Sequence, residues 1–243
     1  VSCKNKHLYV IDLYGNIEMD FDADQYLMGT PALADVDGDG LNEIIVAGYT
    51  SSGDLFAVNH DGTLVDGFPA SINEKVLRGA ATIDLNGNGR ADMVVGTESD
   101  DLIIVVFDDG SYDILFDGNE KFKSAPSIAT INGENIIFAG SDDGHLYGLN
   151  IDGEIRFDIV TGDKIRTSPA FVKLPSGTAI VVGSYDGYLY AVDSDGNTLT
   201  GWPVNTGSSI IVDPIITDID GDNQPEIITG NANGLLLAYH MDG

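Results

Sequence analysis

Basic residues are scarce in this chain. Only 11 lysines and arginines face 39 acidic residues, for a formal net charge of −28 over 243 residues. Binding of a phosphate backbone requires a basic stripe, so nucleic acid is disfavoured as a partner, and anionic membrane surfaces for the same reason. The single cysteine, Cys3, excludes an intrachain disulfide and reads as an unpaired terminal residue rather than a catalytic one. No apolar run approaches the ~18 residues of a membrane-spanning helix, and no stretch has the pattern of a signal peptide; membrane insertion is not expected. Amphipathic runs at helical spacing are also missing. With 30 glycines, the sequence is interrupted by Gly or Asp-Gly roughly every dozen residues. A helical fold is excluded, and the chain is expected to be all-β.

What is present is an acidic nine-residue loop, written three times and followed each time by a short apolar strand. The loops are Asp35–Glu43, Asp84–Asp92 and Asp218–Glu226. Each carries oxygen-bearing side chains at positions 1, 3, 5 and 9 and leaves the backbone carbonyl of position 7 free. The candidate ligands are Asp35, Asp37, Asp39, Leu41 (carbonyl) and Glu43; then Asp84, Asn86, Asn88, Arg90 (carbonyl) and Asp92; then Asp218, Asp220, Asp222, Gln224 (carbonyl) and Glu226. An all-oxygen set of this kind suits Ca²⁺, which takes six to eight oxygens at about 2.3–2.6 Å. Gly38, Gly87 and Gly221 at position 4 let the chain fold back on the ion, and Gly40, Gly89 and Asn223 at position 6 tolerate positive φ. An EF-hand shares the opening pattern but needs a bidentate Glu at position 12 and flanking helices; Val46, Val95 and Thr229 stand there instead. The plainer alternative is an acidic turn without metal, since Asp, Asn and Gly dominate turns anyway. It weighs most on the second loop, which has only two carboxylates.

The loops mark a repeat. Aligned positions Asp35, Asp84, Thr130, Lys173 and Asp218 follow one another at intervals of 43–49 residues. A second element recurs once per unit, as in Asp54–Asn59, Asp101–Val106, His145–Asn150, Tyr188–Asp193 and Leu235–Tyr239, with a sixth copy at His7–Asp12. Periods of this size with several short strands each point to propeller blades or another β-array. The pattern within a unit predicts strand a (Thr30–Ala34, Ala80–Ile83, Pro214–Thr217), strand b (Glu43–Ala47, Met93–Val95, Ile227–Thr229), the recurring strand c, and a more polar strand d such as Ser111–Leu115 or Thr198–Thr200. Asp-Gly pairs at 61–62, 109–110, 152–153 and 195–196 read as hairpin turns between c and d. Five units are legible, with strands c and d of a partial one at His7–Asp12 and Asn16–Phe21. The expectation is one domain over 1–243, and Val1 in place of Met suggests a processed or excised piece of a longer chain.

Residues suited to catalysis do not converge in the sequence. His7, His60, His145 and His240 fall in or beside strand c, and His7 and His145 occupy the repeat position that Tyr188 fills, which predicts a structural role. Gly183–Gly187 has the wrong spacing for a nucleophile elbow. Phe68 and Trp202, each between Gly and Pro, read as a matched pair packing between blades.

At the loops and their following strands, which end Ala47-Gly48, Val95-Gly96 and Thr229-Gly230, the chain resembles the FG-GAP/VCBS repeat family, the β-propellers that include the integrin α-subunit headpiece. That resemblance implies a propeller of four-stranded antiparallel blades, with Ca²⁺ held between strands a and b of three blades by the residues named above. Two units depart from it: Thr130–Asn135 and Lys173–Thr178 lack the acidic ladder, and Lys173 takes the place of the first ligand. Their Gly-Ser-x-Asp-Gly segments resemble quinoprotein-type (PQQ-like) blades. The function this implies is a non-enzymatic, calcium-stabilised binding or adhesion module that meets a protein or carbohydrate at its blade-connecting loops. A propeller of a polysaccharide-degrading, lyase-like enzyme is the alternative. A quinoprotein is a third, weakened by the absence of vicinal cysteines and by a short repeat array. Modest calcium loops suit millimolar calcium, so a secreted or cell-surface location is expected.

Overall fold

The computed structural model describes residues 1–175 and 177–243. Among these there is no helix, and hence none long and apolar enough to cross a membrane. The described residues form 20 strands in six antiparallel sheets, each a meander of consecutive strands. Contacts gather them into two compact units, Val1–Pro126 and Ser127–Gly243.

The first unit opens on a two-stranded sheet, β1 (His7–Ile11) and β2 (Ile17–Asp22). Next come β3 (Ala32–Ala34), β4 (Glu43–Ala47) and β5 (Leu55–Val58), then a four-stranded sheet of β6 (Ala81–Ile83), β7 (Asp92–Gly96), β8 (Leu102–Val106) and β9 (Tyr112–Asp117). Strands β4 and β5 explain why strand b and strand c read as continuous apolar runs. Ile45, Ala47, Leu55 and Ala57 enter the core shared with β7 and β8, whereas Val46, Phe56 and Val58 enter the one shared with Leu8 and Met19. Alternate side chains serve opposite faces, and both faces are buried.

The second unit holds β10 (Ser127–Ile131), β11 (Glu134–Gly140), β12 (His145–Leu149) and β13 (Ile155–Val160), then β14 (Ala170–Leu174), β15 (Gly177–Gly183), β16 (Tyr188–Val192) and β17 (Val204–Asn205). A three-stranded sheet of β18 (Ile215–Thr217), β19 (Glu226–Gly230) and β20 (Leu236–Tyr239) completes it. The same division holds on β15, where Ile180 and Val182 pack toward Phe138 while Ala179 and Val181 pack toward Ile227. In these two four-stranded sheets the a and b strands run longer, and β10 meets β11 at the short Asn132-Gly133 turn. No room is left at that turn for a nine-residue cage, in keeping with the missing acidic ladder at 130–135; the ladder is missing from 173–178 as well, where Ser176 lies outside the described residues.

One strand differs from expectation. The fourth strand of the β14–β17 sheet is Val204–Asn205, not Thr198–Thr200. Thr198 makes only an isolated bridge to Val192. The chain then turns away so that Trp202 is buried, 7% exposed, before rejoining the sheet edge at Val204. The c–d turns are also more specific than a generic Asp-Gly signal. The Gly62 N–H donates to the Asn59 carbonyl and the Asn59 N–H to Thr63, and the pattern repeats at 107–111, 150–154 and 193–197. Positive φ falls on the glycine alone, +86° at Gly62 and +79° at Gly110, as in a type I turn closed by a left-handed residue.

Candidate metal centre

The three acidic loops join β3 to β4, β6 to β7 and β18 to β19, and their backbones are held by one hydrogen-bond scheme. In the first, Asp35 accepts from the N–H of Gly38 (2.7 Å) and of Gly40 (3.0 Å). Asp37 accepts from Asp39 (3.1 Å), and Asp39 from Leu41 (2.7 Å). Position 9 closes the loop: Glu43, 2% exposed, takes the N–H of the fully buried Val36 at 2.8 Å. The second loop repeats every one of these bonds through Asp84, Asn86, Asn88 and Asp92. The third repeats them through Asp218, Asp220, Asp222 and Glu226. Positions 4 and 6 have positive φ in all three, between +66° at Asn223 and +87° at Gly40. Asparagine bears that conformation better than other non-glycine residues, which is why it can stand in the third loop.

This scheme turns side-chain oxygens inward. The carboxylates of Asp35, Asp37 and Asp39 offer oxygens within 4.8 Å of one another, and so do those of Asp218, Asp220 and Asp222. Among the described residues no lysine or arginine pairs with any of these six; the ion pairs formed by those residues lie elsewhere. The second loop brings Asp84 together with two amides, a less charged set. Position 9 is buried in all three loops, at Glu43, Asp92 and Glu226. Burial pushes the Glu43 carboxyl above its ordinary range, with the Val36 N–H opposing and Asp37 and Asp39 adding to the rise. Burial likewise raises Asp92, against the N–H groups of Leu85 and Asp108. An oxygen-rich pocket of this kind, with carboxylate charge left uncompensated, can hold a hard divalent cation.

Two side chains at these loops escaped the sequence reading. Arg90 entered only through its carbonyl, yet its guanidinium lies beside Gly38 of the first loop and pairs with Asp108 at 3.3 Å. There it edges a cleft of about 620 Å³ lined by Asp37, Asp39, Asn59, Asp108 and Asp109. His240 sits opposite Glu226, its Nδ1 3.1 Å from Oε1. The pairing of Ile227 with Tyr239 puts it there, and strand register is the signal that could have found it.

His7 and His145 follow the repeat. His7 Nδ1 lies 2.5 Å from Asp20 and His145 Nδ1 2.6 Å from Asp158; each pairs with the neighbouring strand d and stacks on the tyrosine two residues on. A further polar group lies on the b–c side of the first unit. Glu98 accepts from the Tyr49 hydroxyl at 3.4 Å, has Lys123 at 3.8 Å, and keeps Oε1 buried without a hydrogen-bond partner.

Phe68 and Trp202 do pack between sheets. Gly67, at φ +91°, abuts the Asp109-Gly110 turn of the next sheet, Gly201 abuts Asp242-Gly243 in the same way, and the Trp202 indole N–H donates to the Met241 carbonyl at 3.0 Å.

Comparison with known proteins agrees with this architecture. Residues 35–95 match the FG-GAP-like repeat family model, and residues 179–243 match that of the lambda-carrageenase beta-propeller domain. No curated protein sequence matches the chain. The V. cholerae biofilm matrix protein Bap1 is similar in structure, with a TM-score of 0.71 at 18% identity over 98% of this chain and 41% of that one. The chain thus spans about two fifths of the length of Bap1. BamB from Moraxella catarrhalis aligns at a TM-score of 0.63 and 15% identity, covering 100% of this chain and 82% of that one. The Dos1 propeller aligns at 0.65 and 14%, covering 98% and 62%. The chain is an all-β propeller whose residues 35–95 form an FG-GAP-like repeat.

Proposed function

We propose that this chain is a calcium-binding, non-enzymatic propeller module that works outside the cell and meets a protein or carbohydrate ligand at its blade-connecting loops. The observation that carries this reading is the pair of Asp triads. Three carboxylates with oxygens within 4.8 Å of one another, held by the same backbone bonds and, among the described residues, in ion-pair contact with no lysine or arginine, suit a cation. The donor set fits Ca²⁺, the loop ligands being all oxygen; Glu43 and Glu226 each give one oxygen to a loop N–H, and the second oxygen of Glu226 faces His240. Bound calcium would supply the positive charge that lets these loops keep their shape. The second loop, with Asp84 and two asparagines, would bind more weakly. Sites of this kind suit millimolar calcium, with affinities of about 10⁻⁴–10⁻³ M for extracellular modules. The likeness to a biofilm matrix protein supports the same location. Isothermal titration of the chelated protein should give saturable Ca²⁺ uptake, lost in step with Asp37→Ala and Asp220→Ala; an uptake that neither variant reduces refutes the reading.

A second reading has a specific observation behind it, the match of residues 179–243 to a carrageenase propeller domain. The chain would then be the propeller of a polysaccharide-degrading enzyme. Turnover of carrageenans and acidic polysaccharides by the chain decides between the two: cleavage abolished by a substitution at Glu98 favours the enzyme, whereas binding without cleavage favours the module.

A further inference from the structure

The third loop differs from the first in the residue facing its closing carboxylate. There the first blade has Asn59 beside Glu43, and the last has His240 beside Glu226. The ligand atoms of Asp220, Glu226 and His240 lie within 4.8 Å of one another. The imidazole half of the set is exposed, with 61% of the His240 side chain open, while the Glu226 side chain is 3% exposed. A cleft of about 330 Å³ bordered by Asp222, Gln224 and Met241 gives solvent access to it.

We propose that this corner is a site for a borderline transition dication of the Zn²⁺ class, held by His240, Glu226 and Asp220. Resting on the reading of residues 218–226 as a cation cage, it separates this loop from its two counterparts. The chemistry follows from the donors: imidazole suits Zn²⁺, Cu²⁺ and Ni²⁺, whereas a purely oxygen set suits Ca²⁺ and Mg²⁺. The donors already converge: Nδ1 of His240 is 3.1 Å from Oε1 of Glu226, a hydrogen-bonding distance, and two ligands of one tetrahedral ion with bonds of about 2.0–2.2 Å stand roughly 3.3–3.6 Å apart, so a shift of a few tenths of an ångström admits the ion. The other oxygen of Glu226 takes the Ile219 N–H at 2.9 Å, the kind of outer contact that orients a ligating carboxylate. Asp220 belongs to both sets, so a transition dication and Ca²⁺ compete for this loop and not for the first.

The test uses the full chain, freed of metal by chelation, and its His240→Asn variant, which copies the residue of the first blade. Calorimetric titration with Zn²⁺, and with Co²⁺ followed by its visible absorption, should give a site that the variant binds at least about tenfold more weakly. Saturating Zn²⁺ should remove one equivalent of Ca²⁺ uptake from the parent chain and none from the variant. Equal Zn²⁺ affinity in the two proteins overturns the proposal, as does Zn²⁺ binding that leaves Ca²⁺ uptake untouched. If neither protein takes up Ca²⁺ while the His240-dependent Zn²⁺ site persists, the calcium reading fails and this site stands.

Discussion

Glu43 has two tasks that substitution can separate. Its buried carboxylate clamps the start of the first loop through the Val36 N–H at 2.8 Å, and its other oxygen is available to an ion. Glu43→Ala removes the acceptor and strands a donor on a residue that is 0% exposed; a buried unsatisfied N–H costs about 1–3 kcal/mol. Glu43→Gln keeps an acceptor oxygen and discards a charge whose burial is unfavourable, as its raised pKa indicates. In chelator the expected order of stability is Gln at or above the parent, and the parent above Ala. A domain of this size loses about 2–4 °C of Tm per kcal/mol, so the Ala variant should melt several degrees lower. With Ca²⁺ at a hundred times Kd the parent gains about 2.7 kcal/mol from one site, and the Gln variant, binding more weakly, should fall below it. Thermal melts of the three proteins with and without Ca²⁺ measure both effects. If Ala and Gln melt together in chelator, the clamp contributes nothing; if Gln stays above the parent in Ca²⁺, Glu43 is no ligand.

Three more outcomes are expected. In chelator, the raised carboxyls of Glu43 and Asp92 take up protons in the folded state before the unfolded one, so their contribution to stability increases as pH falls from above their folded values toward the ordinary range. Urea midpoints of Glu43→Gln minus those of the parent should therefore shrink over that window on acidification, and a difference independent of pH contradicts the assignment. Calorimetry should resolve the Asp84 loop as the weakest Ca²⁺ site, with Asp84→Ala removing only the last phase; loss of the tightest phase would reverse the ranking. Gly67→Ala places a Cβ 2.1 Å from the Asp109 carbonyl oxygen, while Gly15→Ala, at nearly the same φ, meets nothing within 4 Å. Both carry the left-handed penalty of roughly 1–2 kcal/mol, and only the first adds overpacking of about 1–3 kcal/mol, so equal melting temperatures would mean that the two sheets do not interlock there.

The contrast between those glycines also marks how far the residues alone could be read. Period and burial were legible because strands b and c carry apolar side chains on both faces; Ile45 and Val46 serve different cores whatever surrounds them. The shape of the acidic loops was legible because positions 1, 3 and 5 hold the loop through bonds to residues two to five further on, so local spacing carries their geometry. Strand d of the fourth unit was not legible. Thr198–Thr200 has fair strand character, yet burying Trp202 against Tyr239 is a long-range demand that moves the strand to Val204. Gly67 and Gly15 look alike in sequence, because what a glycine must avoid belongs to another sheet. His240 is the sharpest case. In sequence it only falls in or beside strand c with the other histidines, whereas its setting depends on Glu226, 14 residues earlier and directly across the β19–β20 ladder. Where a side chain acts along its own loop the sequence is sufficient, and where it acts across a ladder the register has to be known first.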